Sequence, residues 1–193
     1  MINAELLGKR IAEAILNESG PCFYPGRFKP PHKGHYQAAK DLASRDYVKM
    51  VYIIISNKVV DGITPEDSLA IWNMYLAAEP NPKIKVQISK KESPVVDIYE
   101  YLEKNPTVSP VYVSAGDDEI DDVEYVSSLQ KEFGDRVKLI KVHEKAGEIT
   151  APHVRNLLAT GDYEGFAEAV PQAAFNKGAA PKIFKMLAPK IEK

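Results

Sequence analysis

Apolar and polar positions follow two rhythms along this chain, and the switches between them mark out a repeated strand–helix order. Lys49–Ser56 (KMVYIIIS) is an almost unbroken β-branched and aromatic run, as expected of a strand covered on both faces. Cys22–Gly26, Val111–Ser114 and Arg136–Val142 read as further strands. Lys83–Ser89 (KIKVQIS) alternates apolar with polar residues and predicts a strand toward an edge. Between these runs the spacing changes to three and four. Tyr36, Ala39, Leu42 and Ala43 predict a helix over about 33–45. Leu69, Ile71, Trp72, Tyr75 and Leu76 predict one that starts at Thr64-Pro65 and stops before Pro80. Val96, Tyr99 and Leu102 predict a third after Ser93-Pro94, and Val123, Val126, Leu129 and Phe133 a fourth. Val154, Leu157 and Leu158 belong to a helix that opens just after the last strand.

Residues 2–18 carry Leu6, Ile11, Ala14 and Ile15 on one broad face, which predicts a packing helix over the sheet. A short helical tail is expected from Pro181 to Lys190, with Gly178–Pro181 as a hinge before it. Five strands alternating with helices predict an α/β fold: a doubly wound, mostly parallel, five-stranded Rossmann-like sheet with a small helical C-terminal tail. The expected organisation is a packing helix over 1–19, a main domain over 20–160, and a helical extension of the same domain over 161–193.

Composition narrows this picture. At 193 residues, with 45% hydrophobic and 27% charged residues, the chain fits one globular domain with an ordinary core. A formal net charge of −2 gives no global basic character, so neither nucleic acid nor an anionic membrane is expected as a partner. The single cysteine, Cys22, excludes an internal disulfide framework, lies on a predicted strand as core filler, and suits a reducing compartment. Charges at Glu5, Lys9, Arg10 and Glu13 interrupt the opening apolar residues, so no secretory signal is read there, and no apolar run reaches the ~18 residues of a membrane span. A cytoplasmic location is the expectation.

Chemistry concentrates in Gly26–His35 (GRFKPPHKGH), the turn between the first strand and the first helix. Prolines 30 and 31 end the strand, Gly34 allows close backbone approach, and His32, His35, Arg27 and Lys29 surround the start of a helix. The first amides of a helix lack partners within it, so this is expected to be an anion site with phosphate as guest. Glu148–Arg155 (EITAPHVR) is a second helix start, with Thr150 as cap, His153 as a further donor and Arg155 one turn inside. Lys58 follows the second strand and is a candidate phosphate contact. Gly116 and Asp117, in an acidic loop at a strand end, could help hold Mg²⁺, contact a ribose or cap the next helix. Trp72 is read first as core and second as a ligand platform. No Ser-His-Asp arrangement and no Cys-His metal cluster is evident.

GRFKPPHKGH resembles the HxGH signature of the nucleotidylyltransferase superfamily, in a form closest to the archaeal-type nicotinamide mononucleotide adenylyltransferases. The spacing after Arg155, LLATGDYEGFAEAVP, also resembles small phage-type nucleotidyltransferases. ITAPHVR is similar to the second motif of that superfamily, ISGTxxR. Ile149 and Arg155 match, Thr150 stands at the serine, and Pro152 stands at the threonine, removing a hydroxyl and an amide donor together. The resemblance implies transfer of AMP from ATP to a phosphorylated acceptor with release of pyrophosphate. By it, His32, His35 and Arg155 are the catalytic residues. Gly26, Arg27, Phe28, Lys29, Gly34, Thr150 and His153 bind nucleotide, while Lys58, Trp72, Gly116 and Asp117 are weaker contacts for phosphate or acceptor. Mg²⁺ is implied as a companion of the triphosphate, with no direct protein ligand. Nicotinamide mononucleotide leads as acceptor; phosphopantetheine, flavin mononucleotide and phosphoalcohols stay open. A cytidylyltransferase and a non-catalytic nucleotide-binding module are the alternatives, and a homo-oligomer is a family expectation.

Overall fold

The computed structural model of the protein describes residues 19–116, 120–144, 147 and 149–191. The predicted helix over 2–18 and the acidic residue Asp117 lie outside the described residues.

Five strands form one sheet: β1 (Gly20–Gly26), β2 (Val48–Ile55), β3 (Ile84–Ile88), β4 (Val111–Gly116) and β5 (Val137–Val142). Their order is β3-β2-β1-β4-β5, and every neighbouring pair is parallel. Parallel neighbours need crossovers, and the helices α1 (Lys33–Ser44), α2 (Pro65–Ala78), α3 (Pro94–Lys104) and α4 (Ile120–Phe133) supply them. β1 pairs with β2 on one side and β4 on the other, so the chain reverses its winding direction at β1. In such sheets the crevice outside the carboxyl ends of the strands at the reversal is where ligands sit.

Both faces of the sheet are covered, which is why β2 is apolar from Met50 to Ile55. Cys22, Tyr24, Val51, Ile53 and Ile55 pack on one side with Leu42, Ile71, Trp72 and Tyr75 from α1 and α2. Phe23, Ile54, Val111 and Val113 pack on the other with Ile98 and Leu102 of α3 and Val126 and Leu129 of α4. One face differs from the periodicity reading. In α3 Ile98 and Leu102 are the buried pair, and Val96, expected inward, is 37% exposed. Burial drives the Cys22 thiol pKa up to about 12, so it is a neutral core side chain.

The carboxyl-terminal part is more than a tail. After α5 (Ala151–Thr160) come two short helices that periodicity could not resolve, α6 (Tyr163–Glu168) and α7 (Gln172–Asn176), then α8 (Ala179–Leu187) and a 3₁₀ turn, Ala188–Lys190. Phe166, Val170, Ala174, Ala180, Ile183 and Leu187 are buried in the same cluster as β1 and β2. The predicted hinge is therefore a packed corner. Gly178 turns at φ 73, and Ala179 and Ala180 directly after it are 5% and 0% exposed.

Candidate active site

The turn after β1 is held from several directions. The Ser56 amide donates to the Gly26 carbonyl at 2.8 Å, the Ser68 hydroxyl to Phe28 O at 2.7 Å, and the Tyr75 hydroxyl to Pro31 O at 3.0 Å. Arg155 Nη1 donates to Lys29 O at 2.7 Å, across 126 residues of sequence. The carbonyls of this irregular, largely buried loop are thereby paired rather than left unsatisfied. The fixing also tolerates Phe28 at φ 51, a left-handed conformation uncommon for an aromatic residue. Its ring fills the space between Tyr24, His35 and Trp72.

α1 starts with a capping box made of two histidines. His32 Nδ1 accepts from the Gly34 amide at 3.2 Å, and His35 Nδ1 accepts from the His32 amide at 3.2 Å. An Nδ1 that accepts leaves the proton on Nε2, so both imidazoles are Nε2–H donors. Burial, with Lys33 nearby, pushes the His32 pKa down to about 4. Burial, with His32 nearby, holds His35 well below the ordinary histidine range. Their rings lie 3.8 Å apart between centroids. At neutral pH the pair is uncharged, and it serves an anion through hydrogen bonds rather than through charge.

This corrects the expected source of anion affinity. The amides at the start of α1 are not open: Lys33 N donates to Ala169 O at 2.8 Å, and His32 N and Gly34 N are taken by the imidazoles. Gly34 is glycine for a neighbour's sake. A Cβ there would stand 1.8 Å from the carbonyl oxygen of Glu144, so the chain leaving β5 lies directly against the start of α1.

A cavity of about 650 Å³ opens at the carboxyl ends of the strands. Gly26, Arg27, Phe28 and His35 wall it on one side, Ala151, Pro152 and Arg155 on another, with Lys58, Val95, Tyr125 and Glu144 at its margins. The two distant motifs thus meet at one space. Other expected contacts are placed elsewhere. His32 is 3% exposed and lies beneath His35 as the cap, off the cavity wall. Lys29 lines the cavity, but its ammonium is already committed. Its side chain is buried, with Nζ donating to Ser56 O and Ser68 Oγ, both at 3.3 Å. Burial lowers its pKa to about 8 against the opposing pull of Glu66 and Asp67. It ties α2 to the loop instead of meeting a phosphate. Trp72 is fully buried behind Phe28 and cannot be a ligand platform. Thr150 spends its hydroxyl on the His153 amide at 3.3 Å, His153 itself is exposed, and neither walls the cavity. Gly116 ends β4 as a buried residue off that wall.

Two wall residues, Glu144 and Tyr125, and one residue beside the wall, Asp61, escaped the sequence reading. Glu144 brings a carboxylate to 3.9 Å from His35 Nε2, too far for a hydrogen bond, and with His35 neutral it is not an ion pair. Tyr125 donates to Ser114 O at 2.6 Å and lines the cavity from α4. Asp61 accepts from Arg155 Nε at 2.6 Å. The last was announced by Asp61-Gly62, a dipeptide typical of tight hairpin turns.

Among the described residues no group of three or more His, Cys, Asp or Glu side chains is arranged to hold a metal ion. Magnesium needs no such cage, being commonly held by phosphates, waters and one or two carboxylates. Glu92 and Glu144 on the cavity wall fit an ion that enters with a substrate. No helix among the described residues is long and apolar enough to cross a membrane.

No family model and no curated protein matches the chain. Solved structures do match it in fold. Nicotinic acid mononucleotide adenylyltransferase of Plasmodium falciparum, complexed with APC, superimposes with a TM-score of 0.59 at 15% identity, covering 86% of this chain and 98% of that one. The same enzyme complexed with NaAD gives a TM-score of 0.58 over the same shares. The chain has the fold of these adenylyltransferases.

Proposed function

We propose that this protein is a nucleotidylyltransferase that moves an AMP group from ATP to a phosphorylated small-molecule acceptor and releases pyrophosphate. The observation that carries this reading is the single cavity walled by both motifs, with His35 on one side and Arg155 on the other, at the point where the sheet reverses its winding. The fold shared with an adenylyltransferase complexed with NaAD supports it.

An acceptor phosphate oxygen attacks the α-phosphorus of the triphosphate, a P–O bond forms there, and the bond to the β-phosphate breaks. Such a transfer asks for positioning and charge neutralisation rather than a protein nucleophile. His35 Nε2–H donates to the phosphoryl oxygen on which charge accumulates, with its tautomer held by the His32 amide. Arg155 supports the leaving pyrophosphate, and Arg27 and Lys58 add exposed positive charge at the mouth. Mg²⁺ carried on the triphosphate would neutralise its oxygens. His32 acts through His35 by capping the helix and packing its tilted ring against its partner's.

A pyridine mononucleotide, as nicotinamide or nicotinate, is the leading acceptor. The test is to mix the protein with Mg-ATP and each mononucleotide and follow pyrophosphate together with the dinucleotide. Release with one of them is the expected result. ATP binding without release across a wider panel of phosphorylated acceptors favours the second reading, a nucleotide-binding module. Pro152 at the second motif is the observation behind that alternative, because it offers neither hydroxyl nor amide.

A further inference from the structure

Arg155 is the guanidinium that both motifs share, and its orientation is set by a turn that belongs to neither. Two of its donors are committed, Nη1 to Lys29 O at 2.7 Å and Nε to Asp61 Oδ2 at 2.6 Å. The remaining donors on Nη1 and Nη2 carry no partner among the described residues, and the residue walls the cavity. A guanidinium is a rigid planar fork, so fixing it at two corners aims the remaining donors.

The turn presenting Asp61 is built to be stiff. Val60 and Ile63 exchange two backbone hydrogen bonds, at 3.1 and 2.9 Å, around Asp61 at φ 48 and Gly62 at φ 74. Positive φ at both central residues is the mirror-image hairpin turn that Asp-Gly favours. The turn is also backed from behind. A Cβ on Gly62 would lie 2.2 Å from the Lys190 carbonyl oxygen, so the 3₁₀ turn near the carboxyl end presses against it. Lys190 Nζ in turn holds both oxygens of Asp67 at 2.8 Å, at the start of α2. Ile63 beside the turn is fully buried.

We propose that Asp61 is a positioning residue that aims Arg155 at the polyphosphate, with Lys190 as the backing that keeps its turn in place; this rests on the function proposed above. A contact of this kind has two readings with opposite signs. A carboxylate that merely neutralised Arg155 would compete with phosphate, and removing it would tighten ATP. The pinned turn favours orientation, since a counter-ion meant to yield would sit on a segment free to withdraw. Stability is not the explanation either, because the Asp61 side chain is 57% exposed and exposed ion pairs contribute little.

The experiment compares the unaltered chain with Asp61→Ala, Asp61→Asn, Arg155→Ala and the double variant, measuring the affinity for ATP and for adenosine and the thermal midpoint. Asp61→Ala should weaken ATP by about tenfold, leave adenosine affinity unchanged and barely move the midpoint. Asp61→Asn should recover most of that loss, since its amide oxygen still accepts from Arg155 Nε. In the Arg155→Ala background Asp61→Ala should have no further effect. Lys190→Ala should weaken ATP by a smaller factor, about two- to threefold. Unchanged or tighter ATP binding by Asp61→Ala overturns the inference alone. Failure of the unaltered chain to bind ATP overturns the proposed function, and the inference with it.

Discussion

His35 concentrates the residue-scale argument, because of the two histidines in the first motif it is the one on the cavity wall. Its backbone-bonded Nδ1 makes it a donor of fixed direction. His35→Ala should lower kcat by about 10²–10³ with the fold retained, as measured by steady-state pyrophosphate release beside a circular dichroism spectrum. The buried neutral imidazoles also give stability a pH dependence. Above pH 6.5 His32 is uncharged whether folded or unfolded. Between about 6.5 and about 4 only the unfolded chain takes the proton, so stability falls as pH falls, by roughly 3 kcal/mol once both states are charged. Asp67 acts in the same direction. Burial alone would raise its pKa, but Lys190 and Thr64 outweigh that and lower it, so its contribution is also lost on acidification. Urea midpoints taken from pH 7 to pH 4 should decline, and less steeply for His32→Asn, which keeps a capping side chain. A flat profile would contradict the buried neutral pair. Which histidine faces the cavity, and that neither is charged, could not be read from HxGH spacing. Both depend on burial and on Nδ1 partners. Lys29 misled for the same reason: its ammonium is claimed by Ser68, 39 residues further along.

At the scale of elements, capping explains most of what could be read. Thr64 and Asp67 form a reciprocal box at the start of α2, and Pro65 occupies the first turn, as the sequence proposes. β2 was legible because it is buried on both faces, and β3 because it alternates at an edge. α6 and α7 were not, since helices of 6 and 5 residues are too short to show a period. The joint between β5 and α1 was hidden as well. Gly34 looks like a phosphate-loop glycine, yet its lack of a side chain admits the Glu144 carbonyl. Gly34→Ala should therefore push the segment after β5 off α1. The expected result is a loss of about 1–3 kcal/mol in urea titration, with weaker ATP binding because Glu144 and Arg155 wall the same space.

Over the whole molecule, the α/β class and the five-strand order of events were open to inspection, because strand and helix rhythms alternate so regularly. The contribution of the carboxyl-terminal helices was not, because contacts between α8 and α2 leave no local trace. Ile183 and Leu187 are 1% and 0% exposed, and fully burying such a side chain is worth about 1.5–3 kcal/mol each. A chain ending at Gly178 should lose several kcal/mol and melt well below the complete chain in a calorimetric scan, losing ATP binding at the same time. Retention of cooperative melting near the original temperature would show that α8 is dispensable to the core.

The hydrogen bond from the Lys33 amide to the Ala169 carbonyl has a consequence for how the protein comes into being. A nascent chain still on the ribosome presents the GRFKPPHKGH loop long before it presents the acceptor that closes the loop's helix. The amino-terminal half must wait, with the Lys33 amide unpaired, until more than a hundred further residues have been added, many seconds at ordinary elongation rates. Competence for nucleotide should accordingly arise only once Ala169 has been made, in one step with the closing of the core.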